Sequence, residues 1–185
     1  MIIVEGPDGS GKTTLVRELC KYHGLKEGVR ARGDRAKLGD TVVKDTIAAL
    51  TTAADYRTIA KVWDRMGNFS DPIYANVQNR VTPFSPHALF YLRSMLAMIH
   101  APVIVCLPPV EVCVKNCGLT PQHEWVKHNE ERIWYDYRRA VRNGVFPWDT
   151  IVYDYTDDIT ARRQAIHKKV AAFIEYRRIL NGHAG

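Results

Sequence analysis

The sequence lacks any apolar run near the roughly 20 residues needed to cross a bilayer. The four apolar residues before Glu5 are too few for a signal sequence, so a cytoplasmic location is expected and membrane partners are not. Cysteine is scarce, four in 185 residues, which argues against a disulfide framework. Cys113, Cys117 and His123 make a partial zinc set, but no fourth ligand follows at suitable spacing and Cys106 lies in an apolar run. No structural zinc is therefore expected. Internal repeats and low-complexity tracts are also missing, and a length of 185 residues points to one domain spanning residues 1–185. There is no acidic excess: the formal charge is +6, which points to anionic partners, either nucleotides or nucleic acid.

One short stretch narrows that choice. VEGPDGSGKTTL, Val4 to Leu15, contains Gly6, four further residues, and then Gly11-Lys12-Thr13, the spacing of a P-loop. Glycine takes backbone conformations with positive φ and has no Cβ to keep an anion away. Met1 to Val4 has strand character, and Leu15, Leu19 and Tyr22 fall at helical spacing over Thr14 to Tyr22. Strand, glycine loop and helix thus follow in the order a phosphate cradle requires. Gly6, Asp8, Gly9, Ser10, Gly11, Lys12, Thr13 and Thr14 are the candidate residues for ATP. Lys12 supplies a mobile charge for the β and γ oxygens, and the Thr13 hydroxyl is a candidate ligand for Mg²⁺.

Further along, a short strand is expected around Val29 and a helix over Thr41 to Tyr56. Arg57 to Trp63 reads as a strand ending in Asp64-Arg65, followed by a loop punctuated with Pro and Gly. Pro86 to His100 reads as a helix with apolar residues on most faces, internal or part of a homodimer face. A strand over Pro102 to Leu107 precedes a charged helical excursion at about 110–145, broken between Gly118 and Gln122. Thr150 to Tyr155 is the last strand and Asp158 to Leu180 the last helix. Alternating strands and helices predict an α/β fold, a parallel sheet with helices on both faces, whose ligands sit beyond the carboxyl ends of the strands. The last helix carries Arg162, Arg163, Lys168, Lys169, Arg177 and Arg178, a possible nucleic-acid face. An apolar stripe of Ile166, Val170, Phe173 and Ile174 favours a helix docked on the core with its cations in solvent.

The second motif is WDRMGNFSDPIY, Trp63 to Tyr74. It releases an acid and a guanidinium from a strand end, where P-loop proteins hold Mg²⁺ and where Arg65 can fork onto a phosphate. GPDGSGKTT together with the later Asp-Arg, Ser70 and Tyr74 resembles the thymidylate kinases and the small, often virus-encoded deoxynucleotide kinases related to them. The resemblance implies a P-loop NTPase fold with a helical lid at about 110–145. It also implies that Asp8 faces the acceptor's sugar or phosphate, Asp64 orients the metal shell, Arg65 holds the transferred phosphate and Tyr74 packs beside the acceptor. Arg93 is a candidate for reading the base. The family's compact arginine-rich lid signature is missing; Arg132, in HNEERIWYDY beside the break, is the first candidate for that role.

Arg30, Arg32 and Arg35 add cations to the expected acceptor side, with Arg32 counted among the substrate-binding candidates. Such an abundance favours a monophosphate acceptor, because two anionic groups must approach. A hydroxyl acceptor, on a deoxynucleoside or a nucleic-acid end or modified base, would instead need a carboxylate base such as Asp8, Asp34 or Asp64. A nucleotide-driven switch or ATPase without an acceptor is the third reading.

Overall fold

In the computed structural model, residues 1–28, 39–55, 58, 60–119, 124–157 and 159–182 are described. The central strand β1 (Ile2–Glu5) is buried at every position. It pairs in parallel with β3 (Lys61–Asp64) on one side and β4 (Val103–Cys106) on the other. The two-residue β2 (Lys26–Glu27) extends the sheet beyond β3, and β5 (Ile151–Tyr153) beyond β4. The order is β2-β3-β1-β4-β5, parallel throughout. Strands in such a sheet read as unbroken apolar runs because both of their faces are covered.

The period-2 alternation of side chains divides the core into two layers. On one face Ile3, Val103 and Val105 meet Leu50 of α2 (Gly39–Ala54), Phe69 of α3 (Gly67–Val77), Leu96 of α4 (Pro86–Met98) and Ile133 of α6 (Glu124–Arg142). On the other, Ile2, Val4 and Ile104 meet Leu15 and Leu19 of α1 (Lys12–His23) and Val170 of α7 (Ile159–Gly182). The expected α/β architecture with helices on both faces is therefore observed. α5 (Val110–Leu119) joins β4 to α6.

α7 is docked as its stripe predicts, with Ile166, Val170 and Phe173 buried. Its cations have local partners: Arg162 pairs with Asp157, Arg163 with Glu18, Lys169 with Asp149, and Arg178 with Glu175. Arg177 is buried and donates to the carbonyls of Ala53 at 2.6 Å and Asp55 at 2.7 Å, at the carboxyl end of α2. These contacts support docking rather than a nucleic-acid face. No helix among the described residues is long and apolar enough to cross a membrane.

The segment after Asp64-Arg65 is not the loop expected from Gly67 and Pro72 but the helix α3, with Pro72 inside it. Proline removes one helical hydrogen bond. Burial of Phe69, Ile73, Tyr74 and Val77 outweighs that loss. Gly67 is required by packing, since a Cβ there would lie 2.6 Å from Val42 Cγ1 and 2.8 Å from Thr46 Oγ1. The strand expected around Val29 lies outside the described residues, and β2 forms just before it. Residues 110–145 contain two helices; the inner face of α6 is built into the core through Val126, Ile133 and Tyr137. Cys113 and Cys117 are buried thiols that burial pushes up to about 12, and His123 is outside the described residues. No metal-holding cluster of His, Cys, Asp and Glu occurs among the described residues.

Candidate functional site

The loop from Gly6 to Gly11 leaves the carboxyl end of the central strand and opens α1. Gly6, Gly9 and Gly11 all have positive φ, 139°, 71° and 80°. Each is also tightly approached. A Cβ on Gly6 would lie 2.3 Å from the Cys106 carbonyl oxygen, one on Gly9 2.4 Å from that of Cys113, and one on Gly11 2.9 Å from the Tyr155 ring. Ser10 is buried and donates to the Pro7 carbonyl at 2.8 Å, and Asn116 Nδ2 donates to the Gly9 carbonyl at 2.9 Å. The result is a loop held from beneath by β4 and α5. Its helix opens with Thr13 and Thr14 exposed. The unpaired N–H groups of a first helical turn suit an anion.

Lys12 Nζ is folded back onto the Pro7 carbonyl, with Ser10 Oγ at 3.5 Å. Burial and then the nearby Arg65 charge lower its pKa. Thr13 Oγ1 donates to Asp64 Oδ2 at 2.9 Å. That pairs a hydroxyl from the first turn of α1 with a carboxylate at the end of β3, the kind of oxygen donors that a hard divalent cation takes. The glycine cradle and this pair fit a nucleotide phosphate chain with Mg²⁺.

Beside this pair lies a second cluster. Arg65 donates to Asp8 Oδ1 at 2.7 Å, and the Tyr74 hydroxyl donates to Asp8 Oδ2 at 2.6 Å. The guanidinium also lies 5.0 Å from the centre of the Tyr74 ring. Burial alone would raise the Asp8 carboxyl, but Arg65, Lys12 and the Tyr74 hydroxyl outweigh it and hold Asp8 well below the usual carboxylate range. Arg65 itself has φ 72°, a left-handed conformation uncommon for a residue with a side chain.

Two buried acids, Glu5 and Glu130, join the cluster without having been singled out in the sequence. Glu5 ends β1; Glu5 Oε1 accepts from the Met66 N–H at 2.5 Å and Oε2 from the Tyr137 hydroxyl at 3.0 Å. Burial raises its pKa to about 7 against the pull of those donors, Arg65 and Lys12. Glu130 on α6 is 1% exposed, and neither carboxyl oxygen has a full hydrogen-bond partner among the described residues. Burial, with Asp8 second, pushes it up to about 8, opposed by Lys12, Arg65 and the Cys117 thiol. Its signal was available: Val126, Glu130, Ile133 and Tyr137 occupy one buried face of a helix.

Of the residues singled out in the sequence, Gly6, Asp8, Gly9, Ser10, Gly11, Lys12, Thr13, Asp64, Arg65 and Tyr74 are brought together at the ends of β1 and β3, with Thr14 beside them. Arg93 stands on α4 with its guanidinium 5.8 Å from the Phe69 ring and its Nε buried without a hydrogen-bond partner. Arg132 is exposed, two residues and about 200° of helix from Glu130, so it stands on the opposite face of α6 from the cluster. Arg30, Arg32, Asp34 and Arg35 lie outside the described residues.

The sequence matches no protein-family model and no curated protein. Solved structures resemble it in fold. A deoxyadenosine kinase from M. mycoides with bound dATP is 17% identical, with a TM-score of 0.58 over 92% of this chain and 98% of that one. The same kinase with bound dCTP is 20% identical, with a TM-score of 0.59 over 93% of this chain and 100% of that one. The YorR protein of Bacillus subtilis, in complex with phosphorylated GDP, is 17% identical, with a TM-score of 0.67 over 96% of each chain. At these identities the likeness establishes the fold alone, an α/β P-loop fold spanning nearly the whole chain.

Proposed function

We propose that this chain is an ATP- and Mg²⁺-dependent kinase of deoxynucleoside monophosphates. The observation that carries the reading is the adjacency of two clusters: the glycine cradle with its Thr13–Asp64 pair, and beside it the Asp8–Arg65–Tyr74 group. One suits a phosphate donor with its metal, the other an acceptor. Phosphoryl transfer asks a protein for alignment and charge stabilisation rather than covalent chemistry. Thr13 and Asp64 would hold Mg²⁺, which when bound neutralises charge on the transferring phosphates. Lys12 would leave its contact with the Pro7 carbonyl for the donor phosphates. Arg65, buried beside Asp8, would take the acceptor phosphate, whose oxygen is already ionised and needs no base. Asp8 and Tyr74 would face the acceptor sugar, and Arg93 beside Phe69 the base. The similar deoxyadenosine kinase has been seen with dATP and dCTP, which supports a deoxynucleotide-binding site of this kind.

A hydroxyl acceptor is the second reading, and that same neighbour, a nucleoside kinase by name, favours it. Against it, both oxygens of Asp8 are engaged and its carboxylate is held strongly acidic, which makes it a poor proton acceptor. Exposed Phe90, Tyr91 and Met98 on α4 make a homodimer face a further part of the reading, which sedimentation at two concentrations tests. The deciding experiment is transfer of label from ATP, with Mg²⁺, to a panel of deoxynucleoside monophosphates, free deoxynucleosides and a short DNA. Label on a monophosphate supports the reading. Label only on a nucleoside or DNA replaces it with the hydroxyl reading, and ATP loss without a labelled acceptor replaces it with a nucleotide-driven switch.

A further inference from the structure

An arginine in the left-handed region is strained, and such a residue persists only where its surroundings over-determine it. The contacts around Arg65 show what does so. Its own N–H donates to the Val4 carbonyl at 2.9 Å, as the strand pairing continues past Asp64. The next N–H, that of Met66, donates to Glu5 Oε1 at 2.5 Å. Between these two anchors the chain must turn within one residue, and Arg65 turns with φ 72°. That turn puts the guanidinium on Asp8 at 2.7 Å, with Nε 3.4 Å from the Gly6 carbonyl. The other oxygen of Glu5 is taken by the Tyr137 hydroxyl of α6 at 3.0 Å, and both side chains are fully buried.

We propose that Glu5 is a positioning residue that holds Arg65 in its left-handed turn, and that Tyr137 makes this hold depend on where α6 sits. Glu5 touches neither of the proposed substrates, so its influence passes through the Met66 N–H. Without an oxygen acceptor at position 5, the Met66 N–H is left unpaired and the strained turn relaxes, carrying the guanidinium away from Asp8. Without the Tyr137 hydroxyl, Glu5 Oε2 is left buried and unpaired, and the carboxyl is free to rotate away from Met66. α6 lies within the region in which a lid was expected, so the link gives a route by which movement of that helix reaches the acceptor phosphate. This consequence rests on Arg65 holding the acceptor, as proposed above.

The test compares Tyr137→Phe, Glu5→Gln and Glu5→Leu. Tyr137→Phe removes one oxygen and keeps the ring. Loss of one hydrogen bond predicts an acceptor KM raised about tenfold, with the KM for ATP unchanged. Glu5→Gln keeps an acceptor for Met66 and a donor for the Tyr137 oxygen, and should stay near the wild type. Glu5→Leu should show the largest rise. A merely structural role would lower thermal stability while leaving the KM of the folded fraction alone. Unchanged acceptor KM in both Tyr137→Phe and Glu5→Leu, or an equal rise for ATP and acceptor, overturns the proposal. If the wild type labels no acceptor, the functional reading has failed and a crystal structure of Tyr137→Phe decides the positioning role by itself. Arg65 displaced from Asp8 upholds it; Arg65 keeping its left-handed φ and its contact with Asp8 overturns it.

Discussion

Replacing Glu130 by Gln should make the protein more stable at alkaline pH. Glu130 is buried on the inner face of α6, and the groups facing it are Asp8 from the loop, Lys12 from α1, Arg65 after β3, Tyr74 from α3, and Cys113 and Cys117 from α5. Burial first, and Asp8 second, raise its pKa from 4.5 to about 8. The folded state therefore holds a proton that the unfolded chain has released across this interval. The stability this proton confers is complete below pH 4.5 and is lost as pH rises through about 8. At ~1.4 kcal/mol per unit, the loss is of order 5 kcal/mol, a large share of a typical domain's stability. Glutamine keeps the shape and never ionises. Urea melts of both proteins between pH 5 and 9 should start nearly equal and diverge, the variant becoming the more stable by several kcal/mol. Glu5, with a pKa of about 7, contributes a similar slope to both proteins and drops out of the difference. Parallel curves would show that Glu130 has solvent or a partner in solution and that the burial argument is wrong.

The remaining predictions concern the glycines, Lys12 and the Thr13–Asp64 pair. Gly24→Ala, at φ 64° with nothing within 4 Å of a Cβ, should cost only the left-handed strain, about 1 kcal/mol. Gly9→Ala carries the same strain and adds a Cβ 2.4 Å from the Cys113 carbonyl, so urea melts should show at least about 1 kcal/mol more; equal losses would refute the close packing of α5 on the loop. Lys12→Ala should abolish transfer while the circular dichroism spectrum is retained, and continued turnover would remove the lysine from the mechanism. Asp64→Asn should weaken the Mg²⁺ dependence of nucleotide binding by about tenfold or more, read by titrating the metal at fixed nucleotide; an unchanged Mg²⁺ midpoint would place the metal elsewhere.

What the sequence discloses and what it hides divide along a physical line. The phosphate loop is legible because its requirement is local: positive φ and a close approach at fixed spacing call for glycine, and Gly6, Gly9 and Gly11 meet that call. Asp64-Arg65 is legible because an apolar strand ends there. α3 is not, since Gly67 and Pro72 announce a loop by local preference, whereas the decisive term is burial of Phe69 and Tyr74 between distant elements. Arg132 and Glu130 show the same division within one helix. Arg132 stands out by its charge and its position near a break, but direction on a helix is a matter of phase. Counted at 100° per residue, Val126, Ile133 and Tyr137 mark the inner face, and Glu130 shares it while Arg132 does not. The left-handed turn at Arg65 carries no sequence signal of its own, because the groups that impose it, the Val4 carbonyl and Glu5, lie some 60 residues away. A site built by such long-range restraint is disclosed only when the strand ends are brought side by side. For that reason the acid that anchors the Met66 N–H beside this turn, Glu5, reads in the sequence as nothing more than the place where an apolar run stops.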